Sequence, residues 1–259
     1  MHNPLLTIVT INFNNSNGLK KTIQSVVDQT STSFEFVVID GASTDSSVSV
    51  IKQFADRIDF WTSESDFGIY DAMNKGIRKS NGNYVCFLNS GDYFASSESV
   101  NIIVSMIIST NSDLIYCDTN IVNTDGTTLF TRVHGVVDNI TLLQAMINHQ
   151  SLFVKRNLFD KYGLFDLSFK IKADHDWLIR IARSKPRVTY LPKILVCYEE
   201  GGLSDRLRKL VPMERRRIVR RHTTFIGMML YRLYSRVGFF KEVIMLRRMI
   251  NHLILKKIK

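Results

Sequence analysis

Tyr84-Val85-Cys86-Phe87-Leu88-Asn89-Ser90-Gly91-Asp92-Tyr93-Phe94 is the stretch on which the reading of the fold turns. Tyr84–Leu88 reads as a buried strand, and Asn-Ser-Gly-Asp then breaks the chain before a helix expected near Ser96. An apolar run halted by turn formers suits a strand covered on both faces. In open parallel sheets, ligands bind beyond the carboxyl ends of the strands. Asp92 therefore stands where a carboxylate would meet a ligand or its metal ion. Asp and Ser cap helices equally well, so a plain capping turn is the competing reading.

The segments on either side repeat the pattern. Leu6–Asn12 is β-branched and apolar, ends in the polar turn Asn12-Phe13-Asn14-Asn15, and precedes a helix reaching about Gln29. Phe36–Asp40 is a second buried strand that stops at Asp40-Gly41-Ala42-Ser43-Thr44-Asp45, with a helix following. Ile58–Ser63, a helix over Ile69–Lys79 and a strand at Leu114–Cys117 continue the alternation. Strands separated by helices predict βαβ units, an α/β fold with a mostly parallel central sheet. After Asp118 the rhythm changes. Asn123-Thr124-Asp125-Gly126 signals a hairpin, Thr141–Ile147 a short helix, His149–Val154 an extended run and Ala173–Arg183 an amphipathic helix. Val188–Leu191 and Ile194–Glu199 read as two strands joined at Pro192, and two basic helices, 206–234 and 238–257, finish the chain.

The 259 residues carry a net charge of +10, unevenly placed. From Asp205 onward there are 16 Lys/Arg against three acids, a local +13, which leaves −3 for residues 1–204. An acidic body with a basic tail points to a polyanionic partner, nucleic acid or an anionic membrane face. The tail mixes Phe239, Phe240, Val243 and Leu246 with Arg247, Arg248, Lys256 and Lys257. That suits an interfacial helix, and equally a helix closing over the body with a solvated basic face. No secretory leader is visible, and apolar stretches are interrupted before the roughly 20 residues of a membrane span. Cys86, Cys117 and Cys197 are odd in number and lie in apolar segments, as expected of buried thiols in a reducing compartment. The expectation is a cytoplasmic protein, peripheral at most on the inner face of the membrane.

The order TIVTINFNN, VVIDGASTDSS, ESDFGIYDAMNKGI, FLNSGDYF over residues 6–94 resembles glycosyltransferase family 2, the inverting nucleotide-sugar transferases of GT-A fold. The later HQSLFV and KADHDWLIRI segments resemble its acceptor-side half. The resemblance implies a GT-A catalytic domain at 1–204, with a nucleotide-sugar half (1–118) and an acceptor half (119–204), followed by a basic extension at 205–259. It implies that Thr10, Asn12, Asn14, Asp40, Ser43, Asp66, Ser90 and Gly91 line the nucleotide-sugar pocket. Asp40 would take a hydrogen bond from a uracil-like imide N–H. Asp92 would hold Mg²⁺ or Mn²⁺, although Ser90 replaces the first acid of the family's Asp-x-Asp pattern. Asp174 would be the base that takes the acceptor's proton, with Asp176 as rival and helix capping as the plain alternative. Asp71 and Lys75 read as a helix salt bridge, His149 as a candidate acceptor contact, and Trp177 as core. The implied partners are a nucleotide-sugar donor, UDP-linked by preference, and a glycan or lipid-linked acceptor of surface-polysaccharide synthesis. An anionic membrane surface is a further implied partner, and nucleic acid is not. Two rivals from other classes are a nucleic-acid binder using the tail and a sugar-phosphate nucleotidyltransferase. The tail's aromatics sit in apolar runs, against the first, and Asn12–Gly18 has one Gly and no basic residue, against the second.

Overall fold

The computed structural model describes residues 4–136 and 147–222. The expected helix at 141–147 and the tail beyond 222 therefore fall almost wholly outside the described residues. Nine strands form one sheet, in the order β3-β2-β1-β4-β8-β6-β9-β5, with β7 paired to β6. The strands are β1 (Leu6–Asn12), β2 (Phe34–Asp40), β3 (Phe60–Ser63), β4 (Tyr84–Phe87), β5 (Tyr93–Phe94), β6 (Leu114–Val122), β7 (Thr128–Arg132), β8 (Leu152–Lys155) and β9 (Val188–Glu199). The first half of the sheet, β3-β2-β1-β4, is wholly parallel. In the second half β6 and β9 are parallel, while β8, β5 and β7 run against their neighbours.

Alternation along the strands sends successive side chains to opposite faces, and both faces are covered. Leu6, Ile8, Phe36 and Val38 pack against Leu19 and Ile23 of α1 (Ser16–Val27), Val50 and Ile51 of α2 (Ser47–Gln53) and Ile103 of α4 (Ser99–Thr110). Val9, Ile11, Val37 and Ile39 meet Met73 and Ile77 of α3 (Ile69–Lys79), Phe159 of α5 (Asn157–Tyr162) and Trp177 of α6 (Ala173–Ala182). This is why β1 and β2 read as unbroken apolar runs. Trp177 is core as expected: it stacks on Phe159 with centroids 4.1 Å apart, and its indole N–H donates to the Gly163 carbonyl. Truncating a side chain packed like this costs roughly 3–5 kcal/mol. The three cysteines are free and buried.

Two expectations are revised. Pro192 does not divide two strands; β9 runs through it, with the register against β6 shifting near Asp118. Tyr93-Phe94 does not lead straight into a helix but forms the two-residue β5 on Cys197 and Val196, and α4 begins only at Ser99. That pairing turns the chain after Asp92 back across the end of the sheet.

After β9 come the short α7 (Leu203–Arg206) and then α8 (Val211–His222), the described part of the basic extension, which docks on the body. Ile218 is buried in the core, and Glu214, 3% exposed, accepts backbone N–H bonds from Lys170 (2.7 Å) and Ile171 (3.1 Å). Arg221 pairs with Asp166 at 2.6 Å, and His222 Nε2 lies 2.8 Å from the wholly buried Asp176 carboxylate. For residues 211–222, the closing-helix reading holds. No helix among the described residues is long and apolar enough to cross a membrane.

Candidate active site

Parallel pairing brings the carboxyl ends of β1, β2 and β3 level, because Asn12 is registered with Asp40 and Asp40 with Ser63. Asp40 is fully buried and its carboxylate is crowded with donors. Oδ1 accepts from Asn12 Nδ2 (2.7 Å) and Ser43 Oγ (2.6 Å), while Oδ2 accepts from Ser43 N (2.9 Å) and Ser63 Oγ (2.6 Å). A carboxylate has about four lone-pair sites. All four are spent on the chain's own donors, so the expected contact from Asp40 to a base imide has no lone pair to use. Asp40 is a hub that braces the loops around it.

The remaining residues of the expected pocket lie around that hub. Thr10 is buried, and its hydroxyl has no hydrogen-bond partner among the described residues. Asn14 adopts a left-handed backbone (φ 50°), accepts from Thr44 N at 2.8 Å, and donates its own N–H to Ser43 Oγ at 2.8 Å. Asp66 accepts from Gly68 N, and burial lifts its pKa, with Asp71 and Asp40 adding to the rise. Gly41 lets Asp66 approach, since a Cβ there would sit 2.5 Å from Asp66 Oδ2. Lys75 reaches Glu64 at 3.0 Å and Asp71 at 4.0 Å, the helix pairing expected of it. Asp45 is not drawn into the cleft; it accepts the backbone N–H groups of Ser16 and Ser47 at helix starts.

Beyond β4, Ser90 Oγ donates to Asn12 Oδ1 at 2.7 Å, which ties the third strand end to the first two. Gly91 has φ 106°, and a Cβ there would lie 3.2 Å from the Glu199 carboxylate, so the turn favours glycine twice over. Asp92 is 3% exposed: Oδ1 accepts from Glu199 N (3.0 Å) and Oδ2 from Gln150 Nε2 (2.9 Å). Burial pushes its pKa up to about 7, though both hydrogen bonds pull the other way. Ser90 offers no second acid, and no group of three His, Cys, Asp or Glu side chains converges among the described residues. Through these two bonds Asp92 ties β5 and the end of β9 to the β4 turn. An ion bound here would take Asp92 as its one protein carboxylate, with phosphate oxygens and water completing the shell.

On the acceptor side, Asp174 lies in the first turn of α6, and its side chain keeps 19% exposure. Oδ1 accepts from Tyr70 Oη (3.1 Å) and His175 N (2.8 Å), and Oδ2 pairs with His149 Nδ1 (3.1 Å). Burial raises its pKa, but the bond and charge of His149, helped by Lys172, more than offset this and hold Asp174 below its ordinary value. The rival Asp176 is excluded by geometry. It is wholly buried on the other side of α6, among Arg180, Arg221 and His222. Lys172 is 6% exposed and lies within electrostatic reach of Asp174, Arg132 and Arg215.

The two halves meet through one chain of contacts. Asp40 binds Asn12, Asn12 binds Ser90, and the adjacent Asn89 Nδ2 lies 2.9 Å from His149 Nε2, whose other nitrogen holds Asp174. Gln150, next to His149, holds Asp92. Asp40, Asp92 and Asp174, remote in sequence, are thus linked through these contacts at the strand ends. Sequence reasoning missed Phe13, 64% exposed, with an edge carbon 3.3 Å from where a Gly41 Cβ would be, and Phe67, 83% exposed. An aromatic set in a purely polar turn was the available signal. Gln150 and Glu199 gave no such signal.

The model of Glycosyl transferase family 2 matches residues 7–181 of this chain. A PGL/p-HBAD biosynthesis glycosyltransferase of Mycobacterium bovis is 31% identical over 209 residues, 78% of this chain and 80% of that protein. Among solved structures, Staphylococcus aureus TarS 1–349 in complex with UDP-GlcNAc superposes with a TM-score of 0.65 at 16% identity, over 76% of this chain. The match spans only 59% of that TarS chain's length. A Pyrobaculum calidifontis mannosyltransferase in complex with GDP-Man and Mn²⁺ superposes with a TM-score of 0.62 at 14% identity, over all of this chain and 71% of its own.

Proposed function

The chain belongs to glycosyl transferase family 2 and has a GT-A-type α/β fold, and from that premise we propose that it transfers a sugar, with inversion, from a nucleotide-sugar donor to an acceptor hydroxyl. The observation that supports this reading is the hydrogen-bonded path from Asp40 to Asp174 through Asn12, Ser90–Asn89 and His149, which joins the strand ends to the partly exposed Asp174 carboxylate. The proposed step is a single displacement. Asp174 takes the acceptor's hydroxyl proton while that oxygen attacks the anomeric carbon, and the bond to the diphosphate breaks on the opposite face. Phe13 supplies an exposed ring on which the base can stack, a contact that any nucleobase can make. Thr10, Asn14, Ser43 and Asp66 shape the pocket around it, and Lys172, Arg132 and Arg215 are the cations on the acceptor side.

A uridine donor is favoured by the TarS complexes with UDP-GlcNAc and UDP. The GDP-Man complex makes guanosine donors the alternative to test. The proposed acceptor is a glycan or lipid-linked oligosaccharide presented at an anionic inner-membrane surface, a reading that rests on the basic and apolar sequence of residues 223–259. Residues 1–204 are proposed as the catalytic unit and 205–259 as its extension.

The experiment is incubation of the full chain with a panel of UDP-, GDP- and TDP-sugars. Release of free nucleoside diphosphate is expected with one of them. Pyrophosphate release would instead favour a nucleotidyltransferase, and salt-sensitive nucleic-acid binding without nucleotide-sugar binding would favour the rival binder.

A further inference from the structure

We propose that His149 is a positioning residue for Asp174: gripped on both ring nitrogens, it decides which lone pair of the carboxylate faces the acceptor hydroxyl. This rests on the transferase reading above. The argument is one of counting. Asp174 Oδ1 spends both its lone-pair sites, on the Tyr70 hydroxyl and the His175 backbone N–H. Oδ2 spends one on His149, and among the described residues no other donor reaches it. The site left for an incoming proton is therefore the second one on Oδ2, and the imidazole beside it fixes its direction.

The same contacts define the imidazole. A carboxylate only accepts, so Nδ1 must carry a proton. In the neutral ring Nε2 is then an acceptor, and Asn89 Nδ2 lies 2.9 Å away to supply the donor. Asn89 comes from the end of β4 and Asp174 from α6, so the ring is clamped between the donor side and the acceptor side of the cleft. With its Nε2 lone pair engaged by Asn89, His149 is placed to orient the base, not to act as the base. The charged groups facing the ring are Asp174 on α6 and Asp92 after β4, and Lys172 stands beside Asp174. Asn89 Oδ1 is buried without a partner among the described residues, so the amide has spare capacity for a half-turn that would meet an Nε2–H with its oxygen.

Two measurements test this. Side-chain ¹⁵N NMR of the histidine-labelled full chain at pH 8, with His149 assigned by its loss in His149→Asn, should show the Nδ1–H tautomer. An Nε2–H tautomer overturns the proposal. This readout needs no substrate, so it stands apart from the transferase reading, which fails separately if no nucleotide sugar turns over. Kinetics on the best donor of the panel supply the second test. His149→Ala should lower kcat about 10- to 100-fold while UDP affinity holds, the scale set by a misoriented catalytic group. His149→Asn, whose side-chain N–H falls near the place of Nδ1, should recover most of that loss, and His149→Gln, which mimics Nε2, should not. The acid limb of kcat/KM should move to higher pH in His149→Ala, because the strongest influence lowering the Asp174 pKa is gone. Equal losses in all three variants, or better recovery by Gln than by Asn, contradicts the proposal.

Discussion

The donor-side strand ends and the acceptor-side helix both present buried carboxylates, and they use them in opposite ways. Asp40, at the end of β2, gives all its lone pairs to the chain itself. Asp92 likewise gives each oxygen to an internal donor. Asp174 keeps part of its surface open and one lone pair unspent. The contrast separates scaffolding from chemistry. A carboxylate whose lone pairs all go to the chain fixes loops, and a partly exposed one is placed to take a proton from an acceptor.

If that contrast is right, Asp174→Asn should produce the largest effect. Transfer should fall by about a thousandfold, within the range for loss of a general base, while calorimetry shows UDP binding unchanged. Asp40→Asn should act on folding and binding together. It would set an N–H₂ against the existing donors of Asn12, Ser43 or Ser63, a cost of about 1–3 kcal/mol. A melting temperature lower by several degrees, with UDP affinity reduced, is the expected outcome; weaker UDP binding in a chain of unchanged stability would return Asp40 to direct base contact. Phe13→Ala should weaken UDP binding by roughly tenfold, since stacking on one base contributes about 1–3 kcal/mol, with no change in melting temperature because the ring is exposed.

Asp92→Asn has its signature in pH dependence. With a folded pKa of about 7, above the ordinary value of 3.8, Asp92 contributes stability that is present below about pH 4 and is lost as pH rises through 7. The wild-type melting temperature should therefore drop across that window. Asp92→Asn should flatten the drop and be no less stable at pH 8, since Gln150 can turn its amide to match. A Mn²⁺-induced rise in melting temperature that vanishes in Asp92→Asn would identify Asp92 as an ion ligand, and a rise unchanged in that variant would remove it from that role.

Much of this was legible in the sequence. The apolar runs ending in Asn12, Asp40 and Leu88 read as strands buried on both faces, because period and composition are local properties. The order of the strand ends gave the cleft. What was not legible depended on partners far along the chain. The saturation of Asp40 needs Asn12 and Ser63, and the two bonds to Asp92 come from Gln150 and the Glu199 backbone, 58 and 107 residues away. The two-residue β5 exists only because β9 lies beside it. Glu214 looked like a stray acid in a basic tail, yet it caps the Lys170–Ile171 backbone and seats α8 on the body. Charge counting found the tail's character and could not find that anchor.

The central claim is a direct displacement with the base on the face opposite the leaving diphosphate. Real-time ¹H NMR of the anomeric proton, following the full chain with its best α-linked nucleotide-sugar donor, tests it most directly. A β-configured product formed from the first turnovers is the result the account predicts, and an α-configured product would contradict it.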